Sequence, residues 1–273
     1  MTKLLPIASI ALAFVTTAHA DDWCLHGADR SATVDAAGAA RIVIVAGAGE
    51  LKVSGSSAQT QVQATGKACA PNDELLGQIQ IETRREGDTI QVKTLIPDHH
   101  GLSVGRNTSL DLTLAIPDGL AVELEDSSGD LELRNVKSAV VSDGSGDADI
   151  EDIHGDLKVS DSSGDLEIEH VSGNVSVTDS SGDMEIEDVA GDVEIPVDSS
   201  GDIRIERARS VHIHNDSSGE IVVRHLTGDL TIDQDSSGDI TAADIGGNFT
   251  VRADSNGSIR HERVRGAVQI PTK

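Results

Sequence analysis

The sequence predicts an all-β fold, a parallel two-sheet β-solenoid (β-helix) with about eighteen residues per rung. The motif DSSGD or a close variant begins at eight positions from Asp126 to Asp254, at spacings of 17 to 19 residues. Between these motifs, polar and apolar residues alternate with the period of a strand that has one buried face. Aromatic residues are limited to Phe14, Trp23 and Phe249, so the core must be aliphatic.

One unit shows how a rung is built. Asp165 to Glu169 alternates as a first strand, His170 to Gly173 forms a corner, Asn174 to Thr178 alternates as a second strand, and the next DSSG closes the rung. We expect a glycine at most corners, where the backbone needs a conformation that other residues resist.

Aligning the units predicts stacked columns of inward-facing apolar residues. Two columns lie on the first strand: Leu131, Ala148, Leu166, Met184, Ile203, Ile221, Ile240 and Ile259, then Leu133, Ile150, Ile168, Ile186, Ile205, Val223 and Ala242. One lies on the second strand: Leu157, Val175, Val193, Val211, Leu230, Phe249 and Val268. Such ladders predict a narrow coil that rises about 4.8 Å per rung.

Residues 1–20 have the pattern of a signal peptide, with Lys3, an apolar run from Leu4 to Val15 and the small-residue cleavage site Ala18-His19-Ala20. The mature chain would begin at Asp21, in the periplasm or outside the cell. We expect no membrane span, since no stretch approaches ~18 consecutive apolar residues.

Two regions follow the signal peptide. Residues 21–106 have irregular alternation and predict an N-terminal cap with looser strands, and residues 107–273 predict the regular solenoid, continuous with that cap. The stretch Asp98 to Asn107, with two glycines, is predicted to be a mobile loop. Because an exported chain meets oxidising conditions, Cys24 and Cys69 are predicted to form a disulfide.

The charge balance limits the partners. The chain has 21 basic and 47 acidic residues, a net charge of −26. Nucleic acid is excluded because phosphate binding needs a basic surface. A basic protein, or a component of the cell envelope or surface, fits this charge.

Outward positions of three successive first strands form a predicted acidic face. Its members are Asp149, Glu151, Glu167, Glu169, Glu185 and Glu187. Like charges stacked at about 4.8 Å repel, so a cation such as calcium or a basic partner would relieve them. A solvated surface is the alternative, and Arg204, Arg224 and Arg260 on later rungs favour it by offering opposite charges.

The DSSGD corners add two acidic columns. The leading one contains Asp126, Asp161, Asp179, Asp198, Asp216 and Asp235, and the trailing one contains Asp130, Asp147, Asp165, Asp183, Asp202 and Asp239. Calcium could bridge carboxylates of adjacent rungs. We prefer a structural interpretation, in which Asp and Ser side chains accept hydrogen bonds from corner N–H groups. No cofactor is required, and calcium is the cation that fits these columns.

A second candidate metal site lies on the other strand. His212 and His214 share an outward face, and Glu194 and Asp233 are predicted on the flanking rungs. A strand HxH can bind zinc or copper when a third ligand converges. Two exposed histidines without a metal are the more frequent case. His154, His170 and His225 are interpreted as surface residues.

The strand phrase from Leu110 to Gly119, followed by serial SSGD units with alternating strands, resembles a bacterial candidate-adhesin family of β-strand-repeat proteins, itself a domain of unknown function. The resemblance covers roughly Ala39 to Ile270. It implies a β-solenoid with an envelope or surface role, and it supplies no catalytic residues.

The sequence therefore predicts a non-enzymatic, exported binding scaffold. The first alternative is a calcium- or metal-dependent binding module. A polysaccharide-active β-helix enzyme is a further alternative, but such enzymes need an irregular groove where acids depart from the repeat. Here the acids are the repeat, and no GxSxG, HExxH or P-loop motif occurs.

Overall fold

The structure, a computed structural model, describes residues 24–97 and 108–272. These residues form two sheets of twelve strands each, paired in parallel over most of their length, which confirms the predicted β-solenoid. The predicted signal peptide and the loop from Asp98 to Asn107 both lie outside the described residues.

The N-terminal part contains seven strands and one short helix. They are β1 (His26–Asp35), β2 (Arg41–Val45), β3 (Leu51–Gly55), β4 (Gln61–Ala70), α1 (Asp73–Leu76), β5 (Gln80–Glu86), β6 (Thr89–Leu95) and β7 (Ser109–Ile116). Helix α1 begins where Leu75 N–H donates to the Asn72 side chain at 2.9 Å, a common N-terminal cap.

The regular rungs alternate between the two sheets. The first sheet receives β9 (Leu131–Val136), β11 (Ala148–Ile153), β13 (Leu166–Val171), β15 (Met184–Val189), β17 (Ile203–Glu206), β19 (Ile221–Leu226), β21 (Ile240–Ile245) and β23 (Ile259–Val264). The second receives β8 (Ala121–Asp126), β10 (Ser138–Asp143), β12 (Leu157–Ser160), β14 (Val175–Thr178), β16 (Val193–Val197), β18 (Val211–Asp216), β20 (Leu230–Asp235), β22 (Phe249–Asp254) and β24 (Val268–Gln269).

Strand register confirms the predicted apolar columns. Leu166 pairs with Met184 and Ile168 pairs with Ile186, and the same offset continues on the neighbouring rungs. Nearly all of these side chains are buried, and one cluster joins the two sheets along the solenoid. Burial of aliphatic side chains between the sheets is therefore the main stabilising force of the fold.

The second corner differs from the prediction. The first strand does not end at Glu169, because β13 continues to the buried residue Val171. His170 adopts a positive φ of 57° between them. The same left-handed position recurs on every regular rung. We call this set the corner column: Asn135, Asp152, His170, Asp188, Arg207, His225, Asp244 and Arg263.

Glycine serves the two corners for different reasons. In the DSSG corner, Gly182 has a φ of +140°, and a Cβ there would lie 1.8 Å from the Gly164 carbonyl oxygen of the preceding rung. Gly191 of the second corner lacks a positive φ, but a Cβ there would lie 2.3 Å from the Gly173 oxygen. Close stacking of rungs, and not backbone conformation, therefore requires that second glycine.

In the N-terminal cap, the order of the rungs along the solenoid differs from their order in the chain. The rung formed by β2 and β3 lies between the rung of β6 and β7 and the rung of β8 and β9. Strands β1, β4 and β5 add antiparallel pairs beyond β7 and β6. These antiparallel strands cover the outer edges of β7 and β6, and β1 and β5 become the end strands of the two sheets.

The predicted disulfide between Cys24 and Cys69 is confirmed, with Cα atoms 5.5 Å apart. Its location is the start of β1 and the end of β4, and these strands pair along their whole length. The bond therefore fastens the outermost strand of the cap to the rest of the sheet.

Candidate functional site: an acidic groove and a histidine cluster

The leading aspartates of the DSSGD corners are buried. They continue the inward alternation of the second strand, as Val122, Leu124 and Asp126 show. We call these residues the aspartate ladder: Asp126, Asp143, Asp161, Asp179, Asp198, Asp216 and Asp235, each at most 6% exposed. The sequence analysis did not predict this burial.

One carboxylate oxygen of most ladder residues caps the corner backbone. Ser127 N–H donates to Asp126 Oδ1 at 2.9 Å, and Ser162 N–H donates to Asp161 Oδ1 at 2.7 Å. The second oxygen, Oδ2, lacks a hydrogen-bond partner throughout the ladder. Burial is the main cause that raises the pKa of Asp126 and Asp216 to about 7, and neighbouring ladder charges add to the shift.

The trailing aspartates are mostly exposed and connect neighbouring rungs. Asp183 N–H donates to Asp165 Oδ1 at 3.0 Å, and Asp202 N–H donates to Asp183 Oδ1 at 2.9 Å. Each of these carboxylates thus satisfies a backbone donor of the next rung. Both corner columns support the structural interpretation, because both accept hydrogen bonds from the corner backbone.

A groove runs along the first sheet beside the trailing aspartates. We call it the acidic groove. Its polar lining is Glu50, Asp130, Glu132, Asp147, Asp149, Asp165, Glu167, Asp183, Glu185, Asp202 and Arg204. Two acidic columns therefore run side by side along the groove, on either side of the strand positions Leu131, Ala148, Leu166 and Met184, whose side chains are buried in the core.

The predicted acidic face forms one wall of this groove and continues outside it. Asp149, Glu167 and Glu185 are in register on adjacent strands, and Glu151, Glu169 and Glu187 form the parallel row. The structure therefore places all six residues together on one surface, of which the first row lines the groove.

Two arginines form ion pairs with the acidic face, one at each end. Arg134 contacts Asp149 at 2.5 Å and Glu151 at 2.6 Å. Arg207 pairs with Glu187 and lies 2.6 Å from Asp188. The sequence analysis did not identify these pairs. Arg134 stands seventeen residues before Glu151, at the repeat spacing, so alignment of the rungs could have found it.

The middle of the face keeps its negative charge. Burial, and next the charges of Asp149, Glu169 and Glu185, raise the pKa of Glu167. A raised carboxyl pKa indicates that the negative charge of Glu167 is poorly compensated. The groove is therefore most electronegative near Glu167, whereas Glu185 is in register with Arg204 on the next strand.

Charged residues of the corner column contact one another from rung to rung. His170 lies 3.8 Å from Asp188, and Asp188 lies 2.6 Å from Arg207. His225 lies 3.5 Å from Asp244, which contacts Arg263 at 2.5 Å. Hydrogen bonds from Arg207 and Arg263 lower the pKa of Asp188 and Asp244. These alternating charges stabilise one another, and His170 and His225 lie among carboxylates.

The four residues of the predicted histidine site also meet, on the second sheet. His212 Nε2 lies 3.0 Å from Asp233 Oδ2, and His214 Nε2 lies 2.9 Å from Glu194 Oε1. The two imidazole rings stack with centroids 3.8 Å apart. Arg252, which the sequence analysis did not include, contacts Asp233 Oδ1 at 2.6 Å.

Within residues 24–97 and 108–272, no helix is long and apolar enough to cross a membrane. The sequence model of a family described as Toastrack DUF4097 matches residues 33–270 of the chain. No curated protein matches the chain.

Similar solved structures include three from bacteria. One is a candidate lipid-binding protein from Parabacteroides distasonis, 16% identical, with 86% of this chain and 96% of that chain covered and a TM-score of 0.46. A candidate adhesin from Bacteroides fragilis is 14% identical, with 90% and 98% covered and a TM-score of 0.34. A candidate cell adhesion protein from Clostridium sporogenes is 12% identical, with 90% and 100% covered and a TM-score of 0.29. Because every TM-score is below 0.5, we base no functional conclusion on these similarities.

Proposed function

The chain belongs to the Toastrack DUF4097 family, and we propose that it is a non-enzymatic binding scaffold of the cell envelope or surface whose acidic groove binds a cationic partner. The family match agrees with the resemblance that the sequence suggested for Ala39 to Ile270. The observation that carries the proposal is the pair of acidic columns that run side by side along the groove.

The groove has the dimensions of a binding site for an extended segment. Its trailing aspartates run over four rung steps from Asp130 to Asp202, a length of about 19 Å at about 4.8 Å per step. An extended chain of about six residues covers that length. A basic peptide segment would neutralise Glu167 and Glu185, which repel one another in the free protein.

Other parts of the acidic surface are already compensated within the protein. The aspartate ladder is buried, and the corner column contains its own arginines, such as Arg207 and Arg263. The fold therefore supplies counter-charges at several places, while the centre of the groove keeps its charge. This contrast supports the groove as the binding surface.

Binding of a fluorescein-labelled octalysine peptide to mature protein, measured by fluorescence anisotropy, tests this proposal. The double variant Glu167→Gln and Glu185→Gln removes two groove charges. The matched control, Glu123→Gln and Glu125→Gln, removes two exposed charges from β8 on the other sheet. We expect the groove variant to weaken binding at least threefold more than the control does, and added salt to weaken wild-type binding.

Equal weakening by the two double variants would contradict the groove as the binding surface. A parallel titration with calcium chloride distinguishes the second candidate function, a calcium-dependent module. A calcium-induced rise in the melting temperature that the groove variant abolishes, without any difference in peptide binding, would favour calcium as the ligand.

The envelope or surface location is also part of the proposal. The disulfide between Cys24 and Cys69 supports it, because such bonds persist in oxidising compartments. Expression of the full chain in a bacterial host, followed by N-terminal sequencing of the exported protein, tests it. We expect cleavage before Asp21, and retention of the uncleaved chain in the cytoplasm would contradict export.

A further inference from the structure

The histidine cluster lies on the sheet opposite the acidic groove. His212 and His214 are two residues apart on β18, so their side chains leave the same face of the strand. Glu194 comes from β16 and Asp233 from β20, the strands on either side. Three parallel strands thus bring four groups with metal-binding chemistry to one point.

Ligand atoms of His212, His214 and Asp233 lie within 4.8 Å of one another, and two of the pairs have the spacing of a coordination shell. His212 Nε2 lies 3.0 Å and His214 Nδ1 lies 3.5 Å from Asp233 Oδ2. Zinc binds histidine nitrogen and carboxylate oxygen at about 2.0–2.2 Å, which places tetrahedral ligand atoms about 3.4 Å apart. The two measured distances lie on either side of that value.

The hydrogen bonds of His214 leave its Nδ1 facing another acceptor. A neutral imidazole has one N–H donor and one acceptor nitrogen. When His214 Nε2–H donates to Glu194 Oε1, its Nδ1 lone pair faces Asp233 Oδ2, which is also an acceptor. Two acceptors at 3.5 Å repel unless a proton or a metal cation lies between them.

The surrounding residues hold these ligands as the outer shell of a metal site does. Glu194 fixes the tautomer and the orientation of His214, a role that carboxylates often have behind metal-bound histidines. Arg252 contacts Asp233 Oδ1 at 2.6 Å and leaves Oδ2 to face the histidines. Glu194, which the sequence analysis grouped with the candidate metal residues, therefore has the position of an outer partner of His214.

We propose that His212, His214 and Asp233 bind a zinc-type transition-metal ion through Nε2, Nδ1 and Oδ2. Both histidine side chains are about two-fifths exposed, at 39% and 38%. The fourth coordination position therefore faces solvent, as in zinc sites with three protein ligands. This site is separate from the binding function proposed for the groove, since calcium prefers oxygen ligands and zinc accepts imidazole nitrogen.

Cobalt(II) titration of untagged mature protein tests the site, because tetrahedral cobalt absorbs visible light and zinc displaces it. We expect one saturable visible band that zinc abolishes. His214→Gln should remove the band, and Glu194→Gln should weaken cobalt binding about 10–100-fold through loss of the outer-shell carboxylate. His154→Gln is the matched control, an exposed histidine whose ring contacts Asn135, and it should leave binding unchanged.

The thermal melt of each variant verifies that it folds, and Asp233→Asn replaces His214→Gln if that variant does not. Wild-type protein without a zinc-displaceable band would overturn the proposal. So would cobalt affinities that are equal in wild type, Glu194→Gln and the His214 or Asp233 variant. A zinc-dependent rise in the melting temperature of the wild type, absent from the ligand variant, would support the site independently.

Discussion

Asp198 and Asp216 face one another on successive rungs, joined by a parallel bridge, and both are completely buried. As ionised carboxylates they offer each other only acceptors, so all four oxygens lack a hydrogen-bond partner. One shared proton would supply an O–H donor and remove the repulsion. We therefore expect this buried pair to share a proton.

This ladder predicts that the solenoid loses stability as the pH rises. Burial raises the pKa of Asp216 to about 7 and of Asp179 and Asp235 to about 6, from the ordinary value of 3.8. A carboxyl whose pKa is higher in the folded state stabilises that state fully below its unfolded pKa, and the contribution disappears as pH rises through the folded pKa.

We therefore expect the melting temperature to fall as the pH rises from about 4.5 to about 7. The fall should be steepest below about pH 6, where the unfolded carboxyls have ionised and the folded ladder still holds its protons, and it should level off above about pH 7. Circular dichroism melts at constant ionic strength measure it. A melting temperature that stays level or rises over this range would contradict a protonated ladder.

Asp216→Asn should reduce that pH dependence. The amide has no charge, and its N–H₂ can donate to the flanking ladder carboxylates, so we expect a higher melting temperature than wild type at pH 8. Asp202→Asn is the control, since it removes one exposed charge and keeps an oxygen for the Glu220 N–H, which donates at 2.8 Å. If both variants change the pH dependence equally, general charge repulsion is the cause and not the ladder.

Gly182→Ala should strongly destabilise the protein. The position has a φ of +140°, and the added Cβ would meet the Gly164 carbonyl at 1.8 Å. We expect a loss of at least ~3 kcal/mol in the free energy of unfolding, measured by urea denaturation. Gly119→Ala is the control, because nothing lies within 4 Å of its added Cβ. Similar losses for both would refute the close stacking of rungs.

Substitutions at Asp152 test the left-handed backbone conformation of the corner column. Its φ is 58°, a conformation that Asn and Asp tolerate and β-branched residues resist. Asp152→Val should lower the free energy of unfolding by about 1–2 kcal/mol relative to Asp152→Asn, which makes the same change in charge. Equal stability of the two variants would contradict the backbone conformation.

Loss of the disulfide should loosen the N-terminal cap first. Cys24 and Cys69 close a loop with a sequence separation of 45 residues, for which the chain-entropy estimate is about 4 kcal/mol. In the variant with both cysteines changed to serine, we expect amide hydrogen exchange to accelerate in β1 and β4. Exchange in β13 and β15 should change little, because those strands are held by both neighbours. Uniform acceleration along the chain would show that the cap and the rungs unfold together.

Much of the candidate site could be predicted from the sequence. The repeat places Asp149, Glu167 and Glu185 in register because residues at the same position of successive rungs must stack. The same reasoning placed Glu194 and Asp233 on the rungs that flank His212 and His214. What the repeat could not show was the diagonal reach of Arg207 to Glu187, since a long side chain contacts positions beside its own column.

The sequence by itself determined the rungs, their inward columns and the acidic face, because strand alternation and the repeat spacing are local patterns. Only the tertiary structure showed that β2 and β3 are inserted between later rungs, because that pairing joins segments far apart in the chain. It also decided which corner aspartates are buried. The motif DSSGD presents its two aspartates alike, and only the packed corner turns Asp198 into the core and Asp202 toward solvent.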